Sequence, residues 1–216
     1  LEVGVGTGLV ALPLADAGVP MVGVDLSAPM LGKLVEKAGR RLPFPLVRAD
    51  ATRLPFADDA FGSALVRHVL HLISAWERVV AELARVVRRG GTVLVATGDI
   101  PAAWREVTER FVGRVGRPSF ARGLDLRELD RLDEAFATHG GVPRNLPKIP
   151  DRVGQSLGTF IEQMADGLHS WTWDVPEGVR RDVAEEIREW ALERYGTLDP
   201  PEARDVAIEW RAYDLS

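Results

Sequence analysis

The sequence contains no cysteine, which excludes disulfides and thiolate metal sites. No apolar run approaches the roughly 20 residues of a membrane span. The nearest candidate, Ala64 to Ile73, is interrupted by Arg67, His68 and His71. An excess of positive charge is also missing. With 32 acidic and 27 basic residues the net charge is -5, which argues against a nucleic-acid partner held by a broad basic surface. Side-chain amides are scarce, with Asn145 the single asparagine. That depletion fits a thermophilic source, and the Arg-rich composition fits a GC-rich genome equally well. Position 1 is not methionine, and Leu1 falls in a strand-like stretch, so we expect a further segment to precede it in the natural protein. These features together fit a cytoplasmic protein.

What is present is ordinary globular composition, 46% hydrophobic over 216 residues, enough for one well-buried α/β domain with insertions. The first hundred residues alternate strands and helices. Leu1–Val3, Met21–Val24, Leu46–Val47, Phe61–Val66 and Thr92–Ala96 read as strands, and the stretches from Leu9 to Ala17, from Ser27 onward and from Ala75 to Val87 read as helices. Ser27 suits a helix N-cap and Pro29 its first turn. Strands separated by helices of this length imply a mostly parallel sheet covered on both faces, a Rossmann-like doubly wound α/β fold.

The second half breaks the alternation. Trp104, Val107, Phe111 and Val115 fall at helical spacing, as do Leu126, Leu129, Leu132 and Phe136. Three prolines between Val142 and Val153 suit an irregular edge strand. Gly178–Tyr195 reads as a helix ended by Gly196. We expect residues 1–98 to form the ligand-binding core. Residues 99–216 would complete the same domain, with helical insertions at about 101–121 and 155–196 and a last strand at about 206–213.

Gly4, Gly6 and Gly8 follow the first strand. Glycines there allow a tight turn and close approach of a ligand to the backbone, and the next helix offers free N–H groups. Asp25 follows the second strand and can accept both hydroxyls of a ribose. It can equally cap the next helix. Asp50 follows the third strand, where a carboxylate beside an N–H can read an adenine edge or simply order a loop. Gly6-Thr7-Gly8-Leu9-Val10-Ala11 also fits the G-x-G-x-x-A dinucleotide fingerprint, which keeps an NAD(P)-dependent oxidoreductase open. Charge favours another ligand. Glu2 precedes the turn, and no Lys or Arg lies between Leu1 and Gly32. An acidic rim suits the sulfonium and ammonium of S-adenosylmethionine better than a pyrophosphate.

The motifs as a set resemble a known family. Glu2-Val3-Gly4-Val5-Gly6-Thr7-Gly8, Val22-Gly23-Val24-Asp25-Leu26-Ser27 with Met30, and Asp50-Ala51-Thr52-Arg53-Leu54-Pro55-Phe56 are similar to successive motifs of class I S-adenosylmethionine-dependent methyltransferases. Asp59-Ala60-Phe61 through Val69-Leu70-His71, Glu82 through Val87, and Gly90-Gly91 continue the series, in the manner of the small-molecule, quinone-biosynthesis-like group. Gly62 and Arg89 stand where that family usually has Asp and Pro. The resemblance implies that Gly4, Gly6 and Gly8 hold the methionine end of the cofactor and Asp25 the ribose, with Leu26 and Met30 nearby. It places Asp50 and Ala51 at the adenine and Arg67 along the pocket. It covers residues 1–98 and names no substrate beyond a small molecule. A non-catalytic S-adenosylmethionine-binding protein fits the same motifs.

Methyl transfer chiefly needs alignment at about 3 Å and exclusion of water. His68 and His71 are the candidate bases, each equally readable as a packed histidine. Two histidines at i, i+3 lack a third ligand, so no metal is expected. Trp104, Trp171 and Trp173 can wall a pocket for a planar substrate or lock the insertion to a core.

Overall fold

The computed structural model describes residues 1–39, 41–96, 101–116, 123–125, 128–152, 154–200 and 205–216. Its strands are β1 (Glu2–Val3), β2 (Gly23–Asp25), β3 (Leu46–Arg48), β4 (Phe61–Val66), β5 (Val87–Ala96), β6 (Gly141–Asn145), β7 (Ile149–Arg152), β8 (Asp205–Ile208) and β9 (Trp210–Leu215). Its helices are α1 (Ala11–Asp16), α2 (Ala28–Ala38), α3 (Trp76–Val86), α4 (Ala102–Val115), α5 (Leu129–Ala137), α6 (Leu157–Ala165) and α7 (Glu177–Tyr195), with single 3-10 turns at Leu70–Leu72 and Ser170–Thr172.

Seven strands form one sheet in the order β3-β2-β1-β4-β5-β9-β6. Neighbours from β3 to β5 are parallel, and β9 runs antiparallel to both β5 and β6. This is the Rossmann-like α/β fold that the alternating pattern implies. Side chains of a strand point alternately to opposite faces. Ala64 and Val66 of β4, with Val93 and Val95 of β5, therefore join the core that holds α3 and α5. Leu65 and Leu94 join the opposite core with Ala11 of α1 and Leu34 of α2. Helix α3 presents Trp76, Val79, Val80, Leu83 and Val86 as one buried stripe, each side chain contributing about 1.5–3 kcal/mol.

The chain divides into two compact units. One comprises Leu1–Thr97, Gly123–Leu146 and Trp210–Ser216, and the other Gly98–Arg122 and Pro147–Glu209. The second unit packs Trp104, Val107 and Phe111 of α4 against Phe160, Ile161 and Met164 of α6 and Val183, Ile187 and Ala191 of α7. Gly196 ends α7 in the left-handed conformation, the C-terminal signal read from sequence.

The stretch 206–213 is not one strand. It is divided at Glu209 between β8, which pairs with β7 in a separate two-stranded sheet, and β9 in the main sheet. The change of unit falls at the same residue, and local alternation carries no mark of it. Strand β5 likewise begins at Val87, before Gly90-Gly91. Its register against β4 shifts between Phe61 and Ser63, so the two glycines occupy an irregular stretch inside a strand. A Cβ on Gly91 would lie 2.5 Å from the Gly62 carbonyl oxygen, which keeps position 91 glycine. Leu126, expected on a helical stripe, and residues 117–121 of the first expected insertion lie outside the described residues.

Candidate active site

The turn after β1 places Gly4, Gly6 and Gly8 all at positive φ, at 76°, 52° and 76°. They perform different tasks. A Cβ on Gly4 would stand 2.0 Å from Val69 Cγ2, so the loop after β4 lies directly on the turn. Gly8 is crowded by Leu12 and Leu34, where α1 packs on α2. Gly6 faces open space, its nearest such neighbour being the Gly4 carbonyl oxygen at 3.9 Å. The turn is held by amides of Gly4 and Val5 donating to the Val24 carbonyl at 2.8 and 2.9 Å.

Glu2 lies beneath this turn, only 3% exposed. The Ala11 amide at the start of α1 lies near enough to favour the charged form of the carboxyl. Helix α1 itself has only six residues. Burial pushes the Glu2 carboxyl up to about 7, with the Ala11 amide and Arg67 opposing and Asp25 adding to the rise. Its Oε2 is buried and has no partner.

Asp25 ties the turn to the next helix. Oδ2 accepts the Gly6 amide and Oδ1 the Ser27 amide, both at 2.8 Å. Ser27 in turn caps α2 by accepting the Met30 amide at 3.4 Å. One bond on each oxygen leaves each a further lone pair. Leu26 beside it is 63% exposed, an apolar surface at the rim. Asp50 also orders its loop: Oδ1 accepts both the amide and the hydroxyl of Thr52 at 2.8 Å. Those bonds hold its carboxyl below the usual range, so it stays ionised. Ala51 beside it is buried in the core. Thr52, present in the motif without a role of its own, is thus the partner that orders the loop, and Asp-x-Thr spacing is the signal of such a turn.

Register places Arg67 and His68 next to Gly4, because Val3 pairs with Val66. His68 holds a positive φ of 56°, a strained setting for a residue with a β-carbon. Its residue surface is exposed, yet enough protein surrounds the ring that burial, then Arg67 and His71, pushes its pKa down to about 4. Burial lowers that of His71 too. Both imidazoles are therefore neutral at neutral pH. Gly123 holds this loop from outside: amides of Gly123 and Leu124 donate to His71 and Leu70 carbonyls at 3.2 and 3.1 Å. No local pattern in the sequence marks that contact.

The three tryptophans have separate settings. Trp104 is buried and stacks on Phe160 at 4.3 Å. Trp171 stacks on His169 at 5.2 Å and meets Phe111 edge-on at 5.3 Å. Trp173 is 58% exposed, and its indole N–H donates to the Gly167 carbonyl at 3.1 Å. A cavity of about 390 Å³ lined by Leu12, Asp16, Lys37 and Arg41 lies along α1 and α2 and is not the glycine turn.

Residues 1–95 match the family described as methyltransferase domain. The chain is 41% identical over 98 residues to a phosphatidylethanolamine N-methyltransferase of Cereibacter sphaeroides, covering 44% of this chain and 48% of that protein. It is 38% identical over 101 residues to a demethylmenaquinone methyltransferase of Renibacterium salmoninarum, covering 47% and 41%. The chain thus spans about half the length of these relatives or less. Among solved structures, the YcgJ protein of Bacillus subtilis superposes with a TM-score of 0.65 at 20% identity, covering 100% of this chain and 91% of that one. A phosphoethanolamine N-methyltransferase 2 of Haemonchus contortus, in complex with phosphomonomethylethanolamine and S-adenosylhomocysteine, superposes with a TM-score of 0.56 at 17% identity, covering 99% and 48%.

Proposed function

We propose, from the match of residues 1–95 to the methyltransferase domain family, that the whole protein is a class I S-adenosylmethionine-dependent methyltransferase acting on a small molecule in the cytoplasm. The observation that carries this is the buried, unpartnered Oε2 of Glu2 beneath the glycine turn. A buried acceptor without a donor is costly, and the ammonium of the methionine moiety supplies the donor. The same carboxylate would repel a pyrophosphate. The residues fit the rest of the cofactor. Asp25 takes the ribose hydroxyls on its free lone pairs, Leu26 and Met30 offer apolar contact, Asp50 and Ala51 read the adenine, and Gly6 lies open to the methionine end.

Bound there, the cofactor supplies a methyl group on a sulfonium, ready for in-line displacement. The chain's own part is alignment and exclusion of water, with Arg67 along the cofactor. His68 and His71, neutral and at the carboxyl end of β4, are placed to take a proton from an acceptor that starts protonated.

The second unit is proposed to select the substrate. Its aromatic side chains support this reading: Trp104, Phe111, Phe160 and Trp171 cluster within that unit. Within the second unit Trp173 is an exposed ring, whereas Trp104 and Trp171 build the unit's aromatic core. Calorimetry tests the central reading: S-adenosylhomocysteine should bind at micromolar concentration and NADH should not. Saturable NADH binding with none of S-adenosylhomocysteine would reverse it.

A further inference from the structure

The loop after β3 carries Asp50 and is held from two sides. Ala51 and Leu54 are buried in the core of the first unit. From the other side come two residues of α3 that lie off its buried stripe. The Leu54 amide donates to Glu82 Oε2 at 2.7 Å. Arg85 donates from Nη2 to the Leu54 carbonyl at 3.1 Å and from Nη1 to the Phe56 carbonyl at 2.7 Å. Nη1 also meets Asp58 Oδ1 at 2.8 Å, and Nε and Nη2 hold the two Glu82 oxygens at 2.8 Å each. All five N–H groups of the guanidinium are engaged. An ion pair that merely decorated a surface helix would leave the loop carbonyls to water. This one uses a planar fork to fix two carbonyls and an amide, a geometry lysine cannot reproduce.

We propose that Glu82 and Arg85 are positioning residues for base recognition: by fixing the backbone from Leu54 to Asp58 they set where Asp50 stands, and so how sharply the site prefers adenine over other bases. The inference rests on the methyltransferase reading and on Asp50 facing the adenine amino group. Neither residue touches the cofactor in this scheme.

The test compares S-adenosylhomocysteine with S-inosylhomocysteine, which lacks the amino group, by calorimetry on the full chain. The wild type should prefer the adenine ligand by about tenfold or more. Arg85→Lys should weaken S-adenosylhomocysteine about tenfold and leave the inosine ligand within about twofold, so that the preference collapses. Glu82→Gln keeps the shape, drops the charge, and should shift the preference the same way by less; it carries the test if Arg85→Lys does not fold. A merely structural role would lower the melting temperature and weaken both ligands equally, and that result overturns the proposal. So does a wild type that binds both ligands alike, or variants that keep the full preference. A wild type that binds neither ligand fails the methyltransferase reading itself, a result distinct from the others.

Discussion

A carboxylate as enclosed as Glu2 resists ionisation, and the sequence makes the consequence measurable. Its folded-state pKa of about 7 lies above the ordinary 4.5. Its contribution to stability is therefore full below about pH 4.5, falls as the pH rises, and is gone above about 7. A shift of that size corresponds to about 3 kcal/mol. Urea melts at pH 5 and pH 8 should show the wild type losing more stability than Glu2→Gln over that interval, by an amount of this order. Equal losses would mean that the carboxyl titrates normally. At this scale much of the site was legible. Glu2, the three glycines, Asp25 and Asp50 each lie in or beside a strand end that composition marks, and the structure brings Gly6 and Asp25 together at one turn with Glu2 buried beneath it. The strain at His68 was not legible, because nothing in Arg67-His68-Val69 names a left-handed residue.

Elements are held in place by glycines that no periodicity explains. A Cβ on Gly123 would come 2.1 Å from the Leu70 carbonyl oxygen and 2.6 Å from the His71 carbonyl carbon. Backbone cannot swing aside as a long side chain can, so Gly123→Ala should destabilise the first unit by about 2 kcal/mol or more and disturb the loop that bears His68. Gly32, exposed on α2 with nothing near its missing Cβ, gives the contrast: Gly32→Ala should stabilise by about 0.5–1 kcal/mol. Thermal melting of the two variants checks both signs, and a Gly123→Ala protein as stable as the wild type would remove the loop contact from the argument. Helix periods and caps were readable at this level, as Ser27 and Gly196 show. The antiparallel insertion of β9 between β5 and β6 was not. Alternating residues say that a strand has two faces, but not which distant segment lies at its side, nor in which direction it runs.

At the level of the whole molecule, the stretch that matches the methyltransferase domain family ends at residue 95 but the core it belongs to does not. Leu124, Leu132, Phe136, Tyr213 and Leu215 are buried in the same cluster as Val3, Val66 and Val93. At about 1.5–3 kcal/mol each, their absence would cost about as much as the roughly 5–15 kcal/mol by which a domain is stable. A fragment of residues 1–98 should therefore show no cooperative melting transition and should bind ANS, while the full chain melts cooperatively; a sharp transition in the fragment would overturn this. Tyr213 fastens the late segment, stacking on Phe136 at 3.9 Å and donating its hydroxyl to Asp133 at 2.8 Å. Composition does not reveal such interleaving, because the crossings between units bring no change of residue type. The late arrival of β9 also sets a timetable for synthesis. More than a hundred residues separate Ala96 from Trp210, and at about 5–20 residues per second a ribosome needs on the order of ten seconds to make them. Throughout that interval β5 is an unpaired edge with Val93 and Val95 beside it, open to pairing with another nascent chain. Expression yield should then depend on translation speed and chaperone supply across those codons, although they encode none of the residues proposed to bind the cofactor.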